Sequence, residues 1–323
     1  LSETLRDRLP NVSNFEVNRD LFEQRGKPRG ARKSLALVLA VSGVLAGACG
    51  TVGSDQSSTG DGSEPLRAFV SIPPQRYFVE HIGGEHVDTT VLLPPAASPA
   101  LYEPKPSELR SLAEADVYFG VDVPFERSMT DRIKAAGGDD MRWVRTWQNV
   151  DRGQLAGGKP DPHIWLSPRR VKTQAETIAA ALSRIDPAHE ADYRNNLRRF
   201  EERVDAVDAD IARELEPVAG STFMSFHPAW NYFAGDYDLK MLPIESGGKE
   251  PSAARLREIV ERAENRDIRA VFVQPQFSKD DARTIANQVG ATVQPLDPLA
   301  RDWEKNMRHV ATELANALRD GSR

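Results

Sequence analysis

Apolar and polar positions along the chain alternate between two periods. Short apolar runs at 66–72, 87–93, 116–119 and 142–144 are bounded by Pro, Gly or charged residues and predict strands. Between them, 75–81, 107–115 and 125–136 carry the three-to-four-residue spacing of amphipathic helices. The second half repeats this alternation, with strands at 222–226, 240–244, 269–273 and 292–296 and helices at 230–237, 253–265, 280–289 and 303–318. A helix at 171–185 precedes the longest periodic segment. There Tyr193, Leu197, Phe200, Val204, Val207, Ile211 and Leu215 are spaced 4, 3, 4, 3, 4 and 4, which makes one continuous stripe. Asp186 suits the N-cap and Pro187 the first helical position, while Pro217 and Gly220 stop the run. A helix of about 30 residues is a rod of about 45 Å. The predicted class is therefore α/β: two α/β lobes with parallel sheets, at 66–185 and 218–320, bridged by one long rigid helix at 186–217. Such a bridge predicts small local closure rather than a wide hinge motion.

Composition agrees with a soluble globular body, at 40% apolar and 28% charged residues in 323. The net charge of -6 and the lack of a basic stripe or stacking platform give no reason to expect a nucleic-acid partner. The N-terminal region has a different character. Arg29, Arg32 and Lys33 precede a charge-free run at 34–48, which is too short to span a bilayer and reads as an export signal. The run ends Leu45-Ala46-Gly47-Ala48-Cys49, and Cys49 is the chain's single cysteine, so internal disulfides are excluded. Small residues before that cysteine resemble a bacterial lipobox, although Ala46 stands where a larger aliphatic residue is usual; a cleaved, unlipidated signal is the alternative. Residues 31–49 are thus a lipoprotein signal peptide with lipidation at Cys49. Residues 50–65, rich in Gly, Ser, Thr and Asp, form a flexible tether. Residues 1–30 are mostly polar, lack an initiating Met and are set aside as a leader.

Ligands in open α/β sheets sit beyond the carboxyl ends of strands. His227 follows the predicted strand 222–226 and Asp297 follows 292–296; His163 lies in the proline-bounded turn Asp161-Pro162-His163-Ile164-Trp165-Leu166-Ser167-Pro168. Two imidazoles and a carboxylate suit Zn2+, and also Mn2+ or iron where water completes the shell. No two of the three are close in sequence, so this is not a short metal motif. Of the remaining histidines, His81 and His86 flank a Gly83-Gly84 turn, either as a surface pair or as a solvated loop. His189 and His309 are most simply exposed. Trp165, Trp230, Tyr232 and Phe233 are either cleft wall or core.

Five segments occur in order: Tyr102-Glu103-Pro104-Lys105-Pro106-Ser107, the segment at 161–166, Phe226-His227-Pro228-Ala229-Trp230-Asn231-Tyr232-Phe233, Gln274-Pro275-Gln276-Phe277-Ser278 and Leu296-Asp297-Pro298-Leu299-Ala300. Together they resemble the zinc/manganese solute-binding proteins of bacterial ABC importers, over about 66–318. The resemblance implies two lobes bridged by a long helix, a metal in the cleft, and His163, His227 and Asp297 at three of the family's four ligand positions. The fourth departs from the pattern, because Ala100 stands where the family has a histidine and a methyl group coordinates nothing. Residues 120–160 also lack the family's His-rich loop. Water, a carboxylate such as Glu103, Glu245 or Glu250, or the donor of a chelated metal could take the fourth position.

The resulting expectation is an extracytoplasmic, lipid-anchored, monomeric receptor that captures a divalent transition metal, zinc before manganese. It would deliver the metal to an ABC permease and its ATPase. The alternatives are a surface adhesin on the same fold with a degenerate or chelate-binding site, and a zinc hydrolase. No nucleophile motif, assigned general base or phosphate-cradling Gly-rich loop supports catalysis, so no catalytic residue is expected.

Overall fold

The computed structural model describes residues 64–245, 252–264, 268, 270–277 and 279–319. The leader, the signal segment with Cys49, most of the tether and Glu250 lie outside the described residues.

Two four-stranded sheets repeat one topology. In the first, β1 (Leu66–Val70), β2 (Val87–Val91), β3 (Val117–Gly120) and β4 (Arg142–Arg145) run in the order β2-β1-β3-β4. In the second, β5 (Thr222–Ser225), β6 (Lys240–Pro243), β7 (Ala270–Val273) and β8 (Thr292–Pro295) run in the order β6-β5-β7-β8. Every pairing is parallel. Parallel neighbours need crossover helices. These are α1 (Pro73–Gly83), α2 (Pro106–Ser111) and α3 (Pro124–Gly137) in the first half, then α6 (Asn231–Asp236), α7 (Ala253–Glu264) and α8 (Lys279–Gln288) in the second. In each sheet the winding direction reverses between the two inner strands, which opens a crevice at their carboxyl ends. Both crevices contribute to the site below.

Between the halves run α4 (Pro168–Ile185) and the long α5 (Glu190–Leu215), and the chain ends on α9 (Trp303–Arg319). The 26 residues of α5 make a rod of about 39 Å. Its stripe behaves as the spacing predicts: Tyr193, Phe200, Val204, Val207, Ile211 and Leu215 are buried, and Leu197 packs half-buried beside them. The helical run begins where the sequence places it, with Asp186 at the N-cap and Pro187 in the first turn; that turn, Pro187–His189, is 3-10 and continues directly into α5. The Asp186 carboxylate accepts a hydrogen bond from Tyr193 Oη at 2.7 Å and lies 2.6 Å from His189 Nδ1. The rod packs against α4, α1 and α9. Trp303 on α9 reaches the first half, where its ring meets Phe78 edge-on at 5.5 Å.

One continuous core therefore runs from β1 through α5 to Phe223, Trp230, Phe233 and Phe272 on one side of the second sheet. A smaller core of Met224, Phe226, Leu242, Ile259, Val271 and Ile285 fills the other side.

Three of the outlying histidines, His81, His86 and His189, are less solvated than expected. His86 pairs not with His81 but with His189, stacked at 3.8 Å, because the turn after α1 abuts the start of α5. His81 packs on Tyr77 with its Nδ1 2.7 Å from that residue's carbonyl. His309 is exposed, 3.7 Å from Glu313.

Glu126 is a buried acid of the first half. Its carboxylate accepts hydrogen bonds from the backbone N–H of Val121 and Val123 and from the Ser71 and Tyr118 hydroxyls. These bonds hold a tight loop in which Asp122 adopts φ 66°. Burial outweighs the hydrogen bonds and pushes the Glu126 carboxyl up to about 7. The folded state thus binds this proton more tightly than the unfolded chain, for which the reference value is 4.5. The favourable contribution is complete below about 4.5 and disappears as pH rises through 7. Urea unfolding of Glu126→Gln across pH 5–8 should therefore show a flatter stability profile than the parent. The difference expected across that window is on the order of 3 kcal/mol. Equal slopes would contradict this account.

Candidate metal centre

His163 is held by its own turn. The Asp161 Oδ1 atom accepts from the His163 backbone N–H at 3.0 Å and lies 2.6 Å from its Nδ1, while Asp161 Oδ2 accepts from Asn231 Nδ2 at 2.9 Å. Burial acts to raise the Asp161 carboxyl, but the His163 imidazole and these bonds outweigh it and leave the group below its ordinary value. The strap is then fastened to the second half of the molecule. Tyr232 Oη donates to the Asp161 carbonyl at 3.0 Å, and Trp165 Nε1 donates to the Pro298 carbonyl at 2.7 Å. Trp303 Nε1 in turn donates to the Trp165 carbonyl at 2.7 Å.

His227 lies just past β5, with Phe277 stacked on its ring at 5.3 Å. Its Nδ1 is 2.7 Å from Glu245 Oε1, and Glu245 follows β6 and is buried. Gln274, which follows β7, accepts from the His227 N–H through Oε1 at 3.3 Å and donates to its carbonyl through Nε2 at 3.2 Å. Burial, opposed by Glu245 and aided by the neighbouring His163, pushes the His227 imidazole below its ordinary value and favours the neutral ring.

The two rings meet at 76°, with Nε2 of His163 and Nε2 of His227 3.2 Å apart. A carboxylate beside each Nδ1 favours the proton there, which leaves both Nε2 lone pairs free and close together. Neutral rings repel in that arrangement, and a cation between them removes the repulsion. Tetrahedral zinc with nitrogen ligands at 2.0–2.1 Å sets them about 3.3 Å apart. The spacing of the pair is therefore that of two ligands on one ion.

Asp297 stands apart from this pair. It lies just past β8, with Oδ1 accepting from Leu299 N–H at 2.9 Å and from Gln276 Nε2 at 3.4 Å. Its neighbours Pro298 and Leu299 line the same cavity as the imidazoles. Among the described residues no group of three or more His, Cys, Asp or Glu side chains converges on one point.

The carboxylates considered as fourth donors also separate. Glu245 is engaged behind His227, Glu103 is exposed away from the cavity lining, and Glu250 lies outside the described residues. Ala100 lines the cavity, as does Trp165, whereas Trp230, Tyr232 and Phe233 are buried core. The ring-orienting roles of Asp161 and Glu245 were missed in the sequence. Asp161 could have been found from its place two residues before His163. Glu245 gave only the weaker signal of a strand end.

The family model for the zinc-uptake complex component A, periplasmic (ZnuA), matches residues 69–317. The chain belongs to the ZnuA family. A high-affinity zinc uptake system protein ZnuA from Brucella abortus is 33% identical over 168 residues, 50% of each chain, so the match spans half the length of that relative. The Bacillus subtilis ZnuA is 24% identical over 81% of this chain and 87% of its own. A ZnuA crystal structure superposes with a TM-score of 0.76 at 40% identity, covering 79% of this chain and 99% of that one. A zinc-bound deletion mutant of ZnuA superposes equally well, at 0.76 and 40% identity.

The geometry makes a prediction for the ZnuA-type pair independent of any metal. Long-range proton–nitrogen NMR of the metal-free protein at pH 8 should show both rings as Nδ1–H tautomers. In Glu245→Ala, His227 should shift to a tautomer mixture while His163 does not. An Nε2–H ring at both positions in the parent would refute the assignment.

Proposed function

We propose that this chain is the extracytoplasmic receptor of a metal importer, capturing one divalent transition metal in the cleft for an ABC permease and its ATPase. The observation that carries this reading is the facing Nε2 pair, each ring backed by a carboxylate. Such outer partners fix tautomer and orientation at metal-binding histidines. His163 and His227 supply two nitrogens, and Asp297, on the loop tied to the same strap through Trp165, supplies a carboxylate oxygen. Zinc is favoured over manganese because imidazole suits zinc, whereas manganese prefers an oxygen-dominated shell. The ZnuA relatives, named for zinc uptake, support the same choice. The receptor acts as a monomer and makes or breaks no bond. It is tethered through a lipid on Cys49, so Cys49→Ser should move the protein from the membrane fraction to the soluble fraction; unchanged partitioning would exclude that anchor.

Calorimetry on chelator-stripped protein should show one zinc per chain. His163→Ala and His227→Ala should each weaken uptake by at least about 100-fold, the loss of one ligand. Ala100→His should tighten it by adding a nitrogen at the cavity wall. Folded parent protein that takes up neither zinc nor manganese would end this reading.

A further inference from the structure

The segment between β4 and the His163 strap folds into a short hairpin beside the cavity. Gln154 and Pro160 form an antiparallel bridge. On one side of it Leu155 N–H donates to the Lys159 carbonyl, and on the other Asp161 N–H donates to the Gly153 carbonyl, both at 2.9 Å. Gln154, Leu155, Lys159 and Pro160 line the cavity. The base of the hairpin is Gly153 opposite Asp161, the residue whose carboxylate orients the His163 ring.

That basal rung is closed directly on one side only. In an antiparallel ladder, facing residues of this kind exchange two N–H···O bonds. Here the return bond runs through a side chain from the other half of the molecule. Tyr232 Oη accepts from Gly153 N–H at 3.0 Å and donates to the Asp161 carbonyl at 3.0 Å. Two such bonds in series hold nitrogen and oxygen on the order of 5 Å apart, against about 2.9 Å in a direct rung. The hydroxyl is a wedge.

The wedge is held firmly. The Arg170 guanidinium lies 4.2 Å from the centroid of the Tyr232 ring, and Arg170 also donates to the Asp151 carbonyl and to Asp236 Oδ1, each at 3.2 Å. Asn231, the residue before Tyr232, donates to the Asp161 carboxylate at 2.9 Å. Both grips on Asp161 therefore come from the start of α6, four and five residues beyond His227. Asp161 in turn accepts from the His163 backbone N–H and lies 2.6 Å from its Nδ1, so a displacement of Asp161 carries the ring with it. Binding constellations work only within about 0.5 Å of the productive geometry.

We propose that Tyr232, buried outside the cavity lining, is a positioning residue for metal capture. Its hydroxyl, wedged into the basal rung, sets His163 Nε2 at its distance from His227 Nε2. Without the hydroxyl, Gly153 N–H and the Asp161 carbonyl close into a direct rung and draw the strap away from the second imidazole. The segment that carries one ligand thereby places the other. The proposal rests on the metal-capturing reading above and adds to it a residue that touches no metal.

The test is Tyr232→Phe, which removes the hydroxyl and keeps the ring on Arg170. Calorimetry of the chelator-stripped variant with zinc chloride should show affinity weakened about tenfold, the scale of losing an outer partner. In a His163→Ala background the same substitution should change zinc affinity by less than about twofold, because its effect passes through the His163 ring. Cobalt chloride gives a second readout, since the visible absorption of bound cobalt follows ligand geometry; the variant's bands should differ from the parent's in position or intensity. Parent-like zinc affinity or superimposable cobalt spectra would overturn the proposal. A loss that persists undiminished with His163 removed would overturn it too, by marking a purely structural role. Parent protein that binds neither ion would instead sink the metal-capturing reading.

Discussion

Two nitrogen lone pairs held close together are the constraint on which the site depends. His163 and His227 come from opposite halves of the chain, and each has its Nδ1 beside a buried carboxylate, Asp161 or Glu245. With the protons favoured on that side, the 3.2 Å gap between the Nε2 atoms is a place for positive charge. A protein that holds two such donors close together in advance has met the cost of ligand ordering during folding, so an arriving ion need only lose water.

The rest of the architecture keeps those rings in place. In both sheets the winding reverses between the inner strands, and His227 and Gln274 sit just past the carboxyl ends of β5 and β7. The strap carrying His163 is fastened to α6 through Asn231 and Tyr232, and to the Asp297–Leu299 loop through Trp165. Beneath it, one core continues from the first sheet through α5 to the second. The separation of the two imidazoles is therefore set by packed side chains and backbone hydrogen bonds. Glu126 does comparable work on the opposite wall, fixing the loop that presents Asp122 to the cavity.

The lining of the cavity is mixed in character: Arg127 and Lys159 stand against Asp122 and Glu245, and Ala100, Leu101 and Leu155 offer no side-chain donor to an ion.

The elements were legible in the sequence because burial leaves a local periodic trace. Every strand and helix expected from spacing is present, and the α5 stripe from Tyr193 to Leu215 faces the core. The start expected for the rod at Asp186-Pro187 is also observed, with a first turn, Pro187–His189, that is 3-10 before α5 proper. Strand ends and the 161–168 turn pointed to His163, His227 and Asp297 as candidates; of these the structure brings the two imidazoles together at 3.2 Å, while Asp297 lies just past β8. What spacing could not tell was which of them touch. Glu245 was weighed as a metal donor and lies instead behind His227; Asp297 was grouped with the imidazoles and bonds to Leu299 and Gln276. The chain by itself thus determined the elements, the parallel architecture and the residues available to the site, because each depends on neighbours a few positions away. Only the tertiary structure decided that His163 meets His227 and which carboxylate orients each ring. Contacts between residues 64 positions apart are set by how whole layers pack, and no local pattern records them.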